Sequence, residues 1–125
     1  MIELRGKLLN GYGKIVGSGV RLEDGVVAEV FPVEEGVEGW VTPGFIDVHC
    51  HGGGGASFPD DPSAEGVDKA VEAHRSFGTT ALIASTVSLI DTLTPIKGLA
   101  QACEEGKLVG IHLEGPYISP AKCGA

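Results

Sequence analysis

Three short apolar runs, opening at Phe45, Thr79 and Leu108 and so spaced by 34 and 29 residues, alternate with two segments of helical periodicity. Steps of about 30 residues are the size of a strand–helix–strand unit, in which the strands run parallel and the helix crosses between them. The first run, Phe45 to His51, is opened by Pro43-Gly44 and closed by Gly52 to Gly55, the pattern of a buried strand with a break at its C-terminal end. Thr79 to Ser88 is β-branched and apolar, and Leu108 to Glu114 supplies the third strand. Between them, Ser63 is placed to cap a helix with the stripe Val67, Ala70, Val71, His74 and Phe77, stopped by Gly78. Thr94-Pro95 opens a second helix with Ile96, Leu99, Ala100 and Cys103 inward and Gly106 after it. The order predicts an α/β fold with a parallel sheet.

The residues before Thr42-Pro43-Gly44 obey a different period, which divides the chain into domains 1–42 and 43–125. Ile2, Leu4 and Leu8 alternate with polar residues, and Val20-Arg21-Leu22 is joined to the run Val26 to Val30 across Glu23-Asp24-Gly25. Asp-Gly between apolar runs is a hairpin signal. Pro32 ends the hairpin, Val33 to Gly39 reads as an acidic loop, and Trp40-Val41 resumes extended structure.

Composition removes several function classes. Nine Lys and Arg against 17 Asp and Glu give a net charge of −8, and no basic run occurs, which argues against nucleic acid or an anionic membrane surface as partner. No stretch approaches the roughly 20 apolar residues of a membrane span, and Met1 to Leu9 lacks the pattern of a secretion signal. Cys50, Cys103 and Cys123 are an odd number at unrelated spacings, the usage of reduced thiols in a cytoplasmic protein.

Strand alternation puts Phe45, Asp47, His49 and His51 on one face, and Ile46, Val48 and Cys50 on the other. Two imidazoles at a strand end, followed by glycines that let a ligand approach, suit a divalent metal such as Zn²⁺; two solvated residues capping a strand are the plain alternative. Gly110, His112 and Glu114 share a face of the third strand, and Glu114 ends it. In parallel barrels the reactive groups sit at the carboxyl ends of strands, so His49, His51 and Glu114 face one mouth and could hold one or two ions. A carboxylate paired with a helix N-terminus or a lysine is the rival reading of Glu114. His112 and Asp47 lie deeper, where hydrogen bonding and packing are the expected roles. His74, in the last turn of its helix, suits packing and dipole complementarity. Cys103 reads as a core thiol. Cys123, in a Pro/Gly-flanked loop after Glu114, is either a substrate contact or a passive loop residue.

The stretches PGFIDVHCHG, FGTTALIAST and GIHLEGPYIS with KCGA together, in order and spacing, resemble the N-acetylglucosamine-6-phosphate deacetylase family of the amidohydrolase superfamily. The first motif is shared across that superfamily; HLEGP with its following loop is the narrower signal. The resemblance runs from the initial β segment to Ala125. It implies the start of a (β/α)8 barrel, incomplete in this chain, with residues 1–42 forming part of a small β-sandwich built from both chain ends. Glu114 matches the family's metal-binding glutamate, and His49 and His51 match the pair used by members with a second metal. Zn is the leading ion, with Fe, Mn or Co as alternatives. Ala125 matches a sugar-phosphate contact. Further metal histidines and the acid–base aspartate are expected beyond this chain, and no catalytic residue within it.

The implied reaction is metal-assisted hydrolysis of an acetamide, releasing acetate and glucosamine 6-phosphate from an amino-sugar phosphate, by an enzyme that is a homodimer at full length. Rival readings are another amidohydrolase, of the dihydroorotase, hydantoinase or adenine deaminase kind, and a non-catalytic truncated product. Three strands cannot close a barrel, and 125 residues is half of the roughly 250 that such a barrel takes. The expectation is the front of a longer protein, inactive alone.

Overall fold

The computed structural model describes residues 1–87, 91 and 93–122. Backbone contacts divide the chain into two compact units, Met1–Pro43 and Gly44–Ala125.

The first unit is a sheet of β1 (Ile2–Leu9), β2 (Ile15–Glu23), β3 (Val26–Val30) and β4 (Trp40–Val41), in the spatial order β3-β2-β1-β4. Strands β1, β2 and β3 pair antiparallel, and β4 joins β1 in parallel. The Asp24-Gly25 turn forms as its sequence demands. Both residues take positive φ, 49° and 79°, which matches the right-handed twist of the flanking strands. Arg21, on the central strand, has Glu3 and Glu29 as cross-strand neighbours and pairs with both, at 3.0 and 2.6 Å.

The second unit opens with β5 (Phe45–Cys50) and a two-rung hairpin of β6 (Gly52–Gly53) and β7 (Ala56–Ser57). Helix α1 (Ala64–Arg75), β8 (Thr79–Thr86), α2 (Leu93–Glu104) and β9 (Gly110–Leu113) follow. The sheet order is β5-β8-β9 with both pairs parallel, as the 30-residue steps require. Cys50, Phe58, Val67, Ala70, Leu82, Ala84, Leu99, Ala102 and Leu108 form its core, so one face of the sheet is packed by the helices. Ser63 caps α1, its hydroxyl accepting from the Gly66 N–H at 3.1 Å.

Three local expectations change. The glycine run forms the β6–β7 hairpin, with Gly54 and Gly55 at positive φ in its turn. Phe77 falls in the turn after α1 and is 84% exposed, outside the buried stripe. Ala102 joins the core beside Leu99, whereas Ile96, Ala100 and Cys103 are only half-buried. Among the described residues no helix is long and apolar enough to cross a membrane.

Candidate metal centre

Strand β5 is not a regular ribbon. Asp47 pairs with Leu82 and Cys50 with Ala84, so Val48 and His49 together oppose Ile83 alone. A two-against-one bulge of this kind resets side-chain alternation. Leu82 and Ala84, two apart on β8, both belong to the helix-facing core, and Asp47 and Cys50 accordingly turn towards α1. This corrects the expectation that Asp47 shares a face with His49. Its Oδ2 lies 3.8 Å from Nδ1 of His74 on α1, and its Oδ1 accepts from the backbone N–H of His49 at 3.1 Å.

His49, in the bulge, and His51, just past it, meet Glu114, the first residue after β9. The two Nε2 atoms are 3.1 Å apart, and Oε2 of Glu114 stands 3.2 Å from that of His49 and 3.0 Å from that of His51. With Glu114 ionised, hydrogen bonds within this triangle cannot satisfy all three atoms. If both imidazoles carry the proton on Nε2, the two N–H groups confront each other; if either is bare, its lone pair faces the carboxylate. A cation resolves the conflict. Donors arranged tetrahedrally at about 2.0–2.1 Å from one ion lie roughly 3.3 Å from each other, close to the edges seen here. The cluster is open to solvent on one side, with His49 56% and Glu114 37% exposed.

His112 lies beside this triangle and outside it. Its Nδ1 is 3.0 Å from Oγ of the fully buried Ser85, and its ring tilts against that of His49 with centroids 5.0 Å apart. Nδ1 of His51 is buried and has no hydrogen-bond partner among the described residues. Cys123 and Ala125, the expected substrate contacts, lie outside the described residues.

A second cluster, Asp47, Cys50 and His74, occupies the helix side of β5. Nε2 of His74 is 3.0 Å from both the Gly52 carbonyl oxygen and Cys50 Sγ, and the thiol donates to that same carbonyl at 3.1 Å. Burial pushes the Cys50 thiol pKa up, so it stays a donor. Sequence reasoning gave His74 only packing and dipole roles. The available signal was a histidine on the apolar stripe of a helix that follows a glycine run: a Cβ on Gly53 would stand 2.9 Å from the His74 ring.

A parallel α/β scaffold with two histidines and a carboxylate gathered at its strand ends sets the class, and the sequence pattern of the Amidohydrolase family matches residues 40–124. The chain belongs to the amidohydrolase family, whose members depend on a metal. It is 37% identical over 92 residues to an N-acetylgalactosamine-6-phosphate deacetylase of Shewanella sp. (strain ANA-3), covering 69% of this chain and 23% of that protein. It is 36% identical over 92 residues to the N-acetylglucosamine-6-phosphate deacetylase of Bacillus subtilis (strain 168), covering 66% and 23%. The crystal structure of N-acetyl-D-glucosamine-6-phosphate deacetylase from Mycobacterium smegmatis superposes with a TM-score of 0.83 at 32% identity, over 100% of this chain and 38% of that one. A mutant of that enzyme, in complex with N-acetyl-D-glucosamine-6-phosphate, superposes with a TM-score of 0.81 at 31% identity, over 98% and 35%. The chain spans about a quarter to a third of the length of the curated relatives it matches.

Proposed function

We propose that this chain carries part of a deacetylase acting on N-acetylglucosamine 6-phosphate, with His49, His51 and Glu114 holding a divalent ion, Zn²⁺ foremost. The observation that carries the reading is the triangle of Nε2, Nε2 and Oε2 atoms with edges of 3.0–3.2 Å at the ends of two parallel strands. The names of the relatives support the substrate class, an N-acetylhexosamine 6-phosphate. On this reading β5, β8 and β9 open a (β/α)8 barrel, and the sheet of residues 1–43 belongs to a small β-sandwich.

Each residue has a part. His49 and His51 offer nitrogen donors from within and just after the bulge, and Glu114 adds the negative charge that favours a cation. Ser85 fixes the ring of His112, which supports the imidazole of His49. A divalent ion held by His49, His51 and Glu114 would supply Lewis acidity of the kind that polarises an amide carbonyl and lowers the pKa of water. The open side of the cluster leaves room for the acetamide to approach.

The test is acetate release from N-acetylglucosamine 6-phosphate by the protein expressed from its intact reading frame, with added Zn²⁺ and with the galacto epimer in parallel. Turnover of the gluco compound is expected. Turnover of the galacto epimer alone moves the substrate to that sugar, and turnover of neither sinks the proposal.

A further inference from the structure

We propose that His74 is a positioning residue that ties the backbone just after His51 to helix α1 and packs against Asp47 on the other flank of the segment carrying His49 and His51; this rests on the reading of those histidines as ion ligands. The bulge is what makes a clamp necessary. Between the pairs Asp47–Leu82 and Cys50–Ala84 the β5–β8 ladder is interrupted, so regular pairing does not fix the backbone at Val48 and His49. Beyond Cys50 the chain leaves the sheet for the β6–β7 hairpin.

The imidazole of His74 reaches both sides of this gap. With its proton on Nε2 it donates to the Gly52 carbonyl, 3.0 Å away, one residue after His51. Nδ1 then turns its lone pair to Oδ2 of Asp47 at 3.8 Å, beyond hydrogen-bond distance, so the ring meets this flank by packing alone, while the other oxygen of that carboxylate accepts the His49 N–H at 3.1 Å. The Cys50 thiol, at 3.0 Å from Nε2, bonds the same Gly52 carbonyl. Gly53 is part of the device, because a side chain there would strike the ring. His74 comes from a helix that the core holds in place through Val67 and Ala70, so it presents a rigid reference to a segment that lacks its own. Partners that bond a metal ligand directly are worth about 10–100-fold in affinity, and His74, acting one step further out through the backbone that carries the ligands, falls at the lower end of that range.

The test uses the chain in two states. In the metal-free protein, hydrogen exchange of the His49 amide is compared between wild type and His74→Phe, with the Val109 amide, just before β9, which donates to the Leu82 carbonyl of β8, as the internal reference. Exchange at His49 is expected to rise at least about tenfold more than at Val109, whereas a merely destabilised unit raises both alike. Titration with Co²⁺, followed by its visible absorption, is expected to show about tenfold weaker binding by His74→Phe. His74→Gln, whose amide returns a donor towards Gly52, recovers most of it, and His74→Asn, which is too short, does not. Equal exchange together with equal affinity in folded His74→Phe overturns the proposal. Should that variant not fold, equal affinities of the Gln and Asn variants overturn it instead. If wild type binds no Co²⁺, the ion reading of His49 and His51 fails, and the exchange contrast alone decides the clamp.

Discussion

Gly66→Ala reverses the effect that helix propensity alone assigns to it. In an exposed helix interior, glycine to alanine stabilises by about 1 kcal/mol, because glycine gives up more backbone freedom on folding. Gly66 is instead buried in the first turn of α1, and a Cβ there would fall 2.5 Å from the carboxylate carbon of Asp61, 2.6 Å from its Oδ2 and nearer still to its backbone oxygen. Asp61 has little room to yield. Its N–H donates to the Ser57 carbonyl at 2.7 Å, and its Oδ1 accepts from the hydroxyl and the N–H of Ser63, the residue that caps the helix. Overpacking of this sort costs about 1–3 kcal/mol, and the displaced cap forfeits about 1 more. Set against the propensity gain, the expected result is a net loss of about 1–3 kcal/mol. The assay is urea unfolding followed at 222 nm, since both described helices belong to this unit. A variant as stable as wild type, or more stable, refutes the reasoning.

Ser63→Ala removes the acceptor of the Gly66 N–H and should cost about 1 kcal/mol in the same assay; no change would show the cap to be idle. Glu114→Gln and His49→Ala should each abolish measurable Zn²⁺ binding by calorimetry while leaving the 222 nm signal intact, and retained binding by either removes that residue from the ligand set. Leu99, fully buried on α2, should lose about 2–5 kcal/mol on truncation to Ala, read as a lowered urea midpoint with an unchanged slope. Cys50 predicts a pH dependence. Burial raises its pKa in the folded state, so the unfolded chain releases this proton first. Its contribution to stability is therefore full below the ordinary thiol pKa and is lost as pH rises through the elevated one. Cys50→Ala should flatten the alkaline limb of a stability–pH curve, and an identical limb in both proteins would contradict the assignment.

The parts of the fold written in side-chain periodicity were legible. The Asp-Gly turn, the Ser63 cap and the strand–helix–strand order each rest on a local preference that packing reinforces. His49, His51 and Glu114 could be placed at strand ends by the same counting, and the structure brings them within 3.2 Å of one another. Counting fails where one residue is inserted into a ladder. The bulge at Val48 and His49 sent Asp47 to the helix side, and no feature of FIDVHCH marks it, because a bulge is set by how two distant strands meet. Phe77 was misread for a related reason. It continues the helical spacing by one step, but α1 stops at Arg75, before that step is reached.

The gathering of ligands from distant positions has a kinetic side. His49 and Glu114 are 65 residues apart in sequence, and the β5–β8 and β8–β9 pairings must both form before they meet. Closing such loops pays chain entropy before any contact repays it, so this corner belongs to the slow end of folding, whereas the β2–β3 hairpin closes over two residues. An ion held between those side chains would find no binding site in the nascent coil. It would bind only the completed unit, slowing its unfolding and leaving its rate of formation unchanged.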